Sequence, residues 1–217
     1  MKIKVINATK YIRKSLILDN VNLELCSGNI YGLQGPNGSG KTMLMRLIAG
    51  LIRPTQGDVF INEKLLGKDM GFPPSMGLMI EEPAFLPNYT GMRNLELLAR
   101  IQNKATVEQI RLAIISAGLD PDDPRKYRKY SLGMKKRLSI AAAIMEQPDL
   151  ILLDEPTNAL DDAGIKQICK LIRRERNRGA LIIIACHDGS ILNQIAQEVF
   201  IVKDGIVKRR CTYEKKE

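Results

Sequence analysis

Apolar residues recur along this chain at two different periods, and the changes between them mark out its parts. At the start, Ile3 and Val5, then Ile17, Val21, Leu23 and Leu25, alternate with polar neighbours. Residues 1 to about 34 therefore read as antiparallel strands with one face turned inward. Within them, residues 29–34 form a short buried strand, and residues 42–49 follow as a helix closed by Gly50. Further strands are predicted over 57–62 and 76–80. From about Pro87 to Gln147 the spacing becomes helical, over 92–102, 106–117 and 134–146. Thr106 and Gln109 stand at capping-box separation and Gly118 stops the helix they begin. Beyond Asp149 strands and helices alternate: strand 149–154, helix about 162–178, strand 180–185, a short helix 189–195, then strands 198–203 and 206–211. That alternation predicts an α/β fold with a mostly parallel core sheet and ligands at the carboxyl ends of its strands. A single domain over 1–217 is expected, its core and antiparallel β subdomain drawn from 1–86 and 148–217, with a helical subdomain at 87–147.

Composition narrows the class. Hydrophobic residues make up 45% and charged residues 26% of the 217, which excludes extended disorder. No apolar run approaches the roughly 20 residues of a spanning helix, and the N-terminus lacks the apolar stretch of a signal peptide. A cytoplasmic protein is the expectation. Cys26, Cys169, Cys186 and Cys211 are scattered beside one histidine, so reduced thiols are expected and a structural zinc site is not. The net charge of +9 gathers at Lys135-Lys136-Arg137, Arg173-Arg174, Lys208-Arg209-Arg210 and Lys215-Lys216. Such clusters suit a solvated basic surface, nucleic acid or anionic lipid. No stacking aromatics interleave with them, and no nucleic-acid partner is expected.

The candidate chemistry begins at Gly35-Pro36-Asn37-Gly38-Ser39-Gly40-Lys41-Thr42, an unbroken match to the phosphate-binding loop pattern. Its glycines let the backbone turn so that successive amides point at a nucleotide phosphate. Lys41 adds a point charge and Thr42 a hydroxyl for Mg²⁺. Strand, loop and helix arrive in the order that sets phosphates at a helix N-terminus. Later, Leu150-Ile151-Leu152-Leu153 leads into Asp154-Glu155. A doubly buried strand of this kind delivers both acids to the sheet edge beside the loop. There Asp154 is placed for Mg²⁺ and Glu155 to accept a proton from an attacking water.

With these residues in hand, the chain resembles the ATP-binding cassette (ABC) ATPases, a class of phosphate-loop NTPases. Asp154-Glu155-Pro156-Thr157-Asn158-Ala159-Leu160-Asp161 matches that family's Walker B motif and D-loop, and Tyr130-Ser131-Leu132-Gly133-Met134 is similar to its signature, usually Leu-Ser-Gly-Gly-Gln. The likeness runs the whole length in family order. It implies ATP and Mg²⁺ as ligands, and a dimer, with itself or with a second ABC ATPase, in which Ser131 and Gly133 reach the γ-phosphate bound by the other subunit. It implies further that His187 hydrogen-bonds the γ-phosphate and orients water, and that Tyr11 stacks on adenine. A separate transmembrane permease is the implied partner, with the chain peripheral on the inner face of the membrane. From the residues alone, Ser131 also serves as N-cap of the helix that follows.

The pattern departs from the family at two points. Glu81 stands where a glutamine usually meets Mg²⁺ and water; a carboxylate remains a hard ligand but adds negative charge near the γ-phosphate. This resembles ATPases exporting lantibiotics and bacitracin-type peptides, which implies antimicrobial-peptide or antibiotic export. Leu132 and Met134 replace the usual glycine and glutamine of the signature. The alternative is a non-transport ABC-type ATPase acting on DNA or the ribosome, and a small-molecule kinase would use the phosphate loop without Ser131 or Glu155.

Overall fold

The computed structural model describes residues 1–81 and 84–210, so Cys211, Lys215-Lys216 and the Glu82-Pro83 step lie outside it. Strands β1 (Lys2–Ile12) and β2 (Ser15–Cys26) pair antiparallel. Their apolar alternation is broken where the register shifts beyond Val5 and Asn7 takes a φ of 48°, which leaves Ala8 and Thr9 buried side by side. β3 (Ile30–Gln34) corrects the expectation of antiparallel strands up to about residue 34: buried on both faces, it lies in the core sheet, parallel to its neighbours there, and α1 (Lys41–Ile48) follows. β4 (Gln56–Ile61) returns to pair with β1, and the two-residue β5 (Lys64–Leu65) finishes a sheet of order β2-β1-β4-β5.

β6 (Met76–Met79) opens the second half, before α2 (Gly91–Gln102), α3 (Val107–Ser116) and α4 (Leu132–Ile144). Each of these helices starts on a side-chain cap that the sequence supplies: Thr90 accepts from the Arg93 amide, Thr106 forms its full capping box with Gln109, and Ser131 accepts from the Met134 amide. Then come β7 (Leu150–Asp154), α5 (Asp162–Asn177), β8 (Leu181–Cys186), α6 (Gly189–Ile195), β9 (Glu198–Lys203) and β10 (Ile206–Arg209). The core sheet runs β10-β9-β3-β8-β7-β6, parallel throughout except for β10.

Residue parity sorts the central strands between two cores. Leu150, Leu152, Leu181 and Ile183 join α1 and the antiparallel sheet on one face. Ile151, Leu153, Ile182 and Ile184 join α2 to α6 on the other. Each such side chain contributes about 1.5–3 kcal/mol by its burial, which is why these runs read as unbroken apolar stretches instead of alternating ones. α4 approaches β6 so closely that a Cβ on Gly77 would stand 1.7 Å from the Ala143 carbonyl oxygen. Among the described residues no helix is long and apolar enough to cross a membrane. Parallel pairing sets Gln34 against Cys186 and Asp154 against Ala185, so the carboxyl ends of β3, β7 and β8 meet at one edge.

Candidate nucleotide site

The loop from Gly35 to Gly40 bridges that edge to the N-terminus of α1. Gly40, with φ at 109°, turns the chain into the helix while its absent Cβ lets the Ile17 carbonyl approach; a Cβ there would lie 3.1 Å from that oxygen. No acidic residue occupies the first turn of α1, so its exposed amides remain positive for an anion. Lys41 is 5% exposed, and its Nζ donates to the carbonyls of Gly35 at 2.7 Å and Pro36 at 3.0 Å. Ser39 Oγ is the buried side-chain polar atom left without a hydrogen-bond partner among the described residues. A cleft of about 290 Å³ lies here, lined by Ile17, Asn37 to Thr42 in part, Met43, Asp154 and Glu155.

The Thr42 hydroxyl donates to Asp154 Oδ2 at 2.6 Å, joining the loop to the end of β7. Burial pushes the Asp154 carboxyl up from the usual aspartate range, and the Glu155 charge adds to this, while the Thr42 bond and Lys41 draw it back down. Glu155 follows with φ at 49°, its amide bonded to the Ala185 carbonyl at 2.9 Å. Its Oε1 accepts the His187 amide at 2.9 Å, and its Oε2 faces His187 Nδ1 at 3.1 Å. Carboxylate and imidazole are thus hung from neighbouring parallel strands and held at two points. Beyond them Asp188 caps α6, its carboxyl held below the usual range by the amide and hydroxyl of Ser190. Cys186, buried at the end of β8, has its thiol pushed up to about 11 by burial, with the Glu155 carboxylate adding to it.

The remaining candidates stand apart from the cleft lining. Tyr11 is 44% exposed near the end of β1, opposite Leu16, with its amide on Thr55 Oγ1 at 3.1 Å. Ile17 lines the cleft instead, a residue whose sequence signal was only that of a strand. Glu81, with φ at 63°, forms an ion pair with Arg46. Arg46 lies one turn beyond Thr42 on α1, so the pair stands on the face of the helix that carries Thr42. Ser131 is exposed as the cap of α4, and Gly133 packs against the D-loop: a Cβ there would lie 2.9 Å from the Ala159 carbonyl oxygen.

The chain matches the family model described as "ABC transporter" over residues 18–158. It is 48% identical over 185 residues to an uncharacterized ABC transporter ATP-binding protein, YybJ, of Bacillus subtilis (strain 168), covering 85% of each chain. It is 36% identical to the bacitracin transport ATP-binding protein BcrA of Enterococcus faecalis over 92% of this chain and 65% of that one. With the lantibiotic transport ATP-binding protein SrtF of Streptococcus pyogenes it shares 32% identity over 98% of this chain and 91% of that one. Among solved structures, a dimeric bacterial ABC transporter cassette, MJ0796, superposes with a TM-score of 0.85 at 26% identity, over 95% of this chain and 97% of that one.

Proposed function

This chain belongs to the ABC transporter family of ATPases, and on that premise we propose how its residues share the work of hydrolysis and what the hydrolysis drives. ATP fits the loop on three observations: unopposed amides at the start of α1, a buried cation aimed at exchangeable carbonyls, and the orphaned Ser39 hydroxyl. Mg²⁺ fits the hard oxygen pair of Thr42 and Asp154, where partial burial and the neighbouring Glu155 charge hold a half-buried carboxyl above its usual range. Thr42 and Asp154 would hold the ion, and it would supply positive charge against the charge that develops on the phosphates.

In this reading Gly35 to Thr42 hold the triphosphate. Lys41 exchanges its carbonyl partners for phosphate oxygens and stabilises the charge that gathers as the γ-phosphate leaves. Glu155 accepts the proton of the attacking water, and His187 holds that carboxylate while presenting its ring to water and phosphate. The two-point hold of Glu155 by His187 is the observation that carries this assignment. Glu81 would serve the metal in competition with its ion pair to Arg46. Tyr11 supplies the face for adenine. Ser131 and Gly133 complete the site of a second cassette, identical or not, using the hydroxyl and the positive end of α4.

The matches to transport proteins favour transport over action on DNA or the ribosome. We place the membrane path in a separate permease and the cassette against its inner face. Residues 87–147 act as a helical subdomain, and a groove of about 290 Å³ between β6, α2 and α4, lined by Met79, Phe85, Leu98 and Ile101 and bordered by Glu81, receives the permease. BcrA and SrtF, with Glu81, support antimicrobial-peptide export. The shared site is tested by mixing Ser131→Ala with Lys41→Ala chains, since each mixed dimer keeps one intact composite pocket. Phosphate release above that of either variant alone is expected; none above it overturns the sharing.

A further inference from the structure

We propose that Glu155, Cys186 and His187 form a capture site for a thiophilic divalent cation of the zinc class, and that its occupation arrests hydrolysis. The arrest rests on the roles just given to Glu155 and His187; the capture does not. One carboxylate oxygen, the Cys186 Sγ and a ring nitrogen of His187 all lie within 4.8 Å of one another, and the carboxylate already faces Nδ1 at 3.1 Å. A tetrahedral zinc ion with bonds of about 2.0–2.3 Å holds its ligands roughly 3–4 Å apart, so side-chain rotation alone closes the set.

The set is built on backbone that is already fixed. Glu155 is tied by its amide to Ala185, and the His187 amide is tied to Glu155. Consecutive residues of a strand point to opposite faces, but β8 ends at Cys186 and the chain bends at His187, which brings both side chains to one carboxylate. Thiolate, imidazole and carboxylate together suit zinc, cobalt or cadmium and are a poor set for Mg²⁺. Three protein ligands leave a fourth position open, in the manner of exchangeable zinc sites and unlike closed structural ones. The buried thiol forms the floor and the exposed imidazole the entrance. On binding, the Cys186 S–H bond breaks, its proton passes to solvent, and sulfur donates the electron pair to the ion. Glu155 is then occupied, and it no longer accepts a proton from water.

The test uses untagged protein carrying Cys26→Ser and Cys211→Ser, titrated with Zn²⁺ alone and with Co²⁺ alone. His187 is the chain's one histidine, so its ring proton resonances report the site without assignment. The expected results are a saturable change of that signal with Zn²⁺ and a thiolate-to-cobalt charge-transfer band in the near ultraviolet. Cys186→Ser in the same background should abolish the band and weaken zinc binding by more than the roughly 10–100-fold that loss of an outer-shell partner costs. His187→Gln, a second variant at another ligand, should weaken the band by a similar factor. Zinc that halves the turnover of the Cys26, Cys211 background should leave Cys186→Ser near its own zinc-free rate. Absence of the band, or equal binding by Cys186→Ser, overturns the site. A site that fills with turnover unaffected overturns the arrest and, with it, the assignment of Glu155 as base.

Discussion

Replacing Glu155 by glutamine separates chemistry from architecture, because the side chain we propose as the base is also an anchor for His187. Its Oε1 accepts the His187 amide at 2.9 Å and its Oε2 faces Nδ1 at 3.1 Å. Glutamine keeps an oxygen for the amide and sets an NH₂ group opposite the ring, so the skeleton survives while the negative charge and the proton-accepting capacity go. Losing a general base costs about 10²–10⁴ in rate, which is about 2.7–5.5 kcal/mol of barrier. The structural loss is smaller. A hydrogen bond to a charged group contributes about 1.5–3 kcal/mol against about 1 for a neutral one, so the difference is on the order of 1 kcal/mol. In a chain of this size that is roughly 2–4 °C in melting temperature. Phosphate release at saturating Mg-ATP, binding of a fluorescent ATP analogue and calorimetric melting read the three quantities separately. The expected result is turnover down by at least about a hundredfold, nucleotide binding intact, and a small change in melting. Undiminished turnover would refute the general-base reasoning, and nucleotide binding lost in step with turnover would move Glu155 to the binding machinery.

Asp154→Asn should raise the melting temperature of the nucleotide-free protein at neutral pH and remove stabilisation by Mg²⁺. The folded-state carboxyl is raised, so its contribution to stability is whole below the unfolded pKa and is lost as pH rises through the folded one. The melting advantage of Asp154→Asn should therefore shrink as pH falls toward the ordinary aspartate range, and an advantage constant with pH would contradict the shift. Arg46→Met frees Glu81 and should lower the Mg²⁺ concentration giving half-maximal ATPase; an unmoved titration would place Glu81 outside the metal's reach. Gly77→Ala sets a methyl 1.7 Å from the Ala143 carbonyl oxygen and should cost at least about 1–3 kcal/mol in urea unfolding, whereas a neutral result would mean that α4 does not seat on β6 as described.

Local signals carried much of this architecture. The loop before α1, the aliphatic run before Asp154 and the caps at Thr106 and Ser131 act over a few residues, and each forms the local structure its residues imply. Features that depend on distant partners were silent. The register shifts of β1 and β2 interrupt the alternation at Asn7 and bury Ala8 beside Thr9, a break that a period-two reading cannot place. β5, at two residues, is too short to carry any period. The pairing of Arg46 with Glu81 joins α1 to the end of β6, and no sequence spacing announces it. Cleft lining by Ile17 arises because β2 runs past Gly40, a matter of tertiary packing. The approach of His187 to Glu155 was legible only as two motifs, with the double attachment supplied by the adjacency of β7 and β8.

The Lys41 ammonium, already seated on the Gly35 and Pro36 carbonyls, has a thermodynamic consequence. In the proposed function, capture of a triphosphate by this loop would be a swap of acceptors, with two existing bonds surrendered for those gained. Calorimetry should then record a binding enthalpy well below what a count of phosphate contacts suggests. With Lys41 already seated, part of the ordering entropy of the loop is spent during folding, so affinity would then be set by a modest difference between two satisfied states. A small difference of that kind suits a protein that must release its product on every cycle.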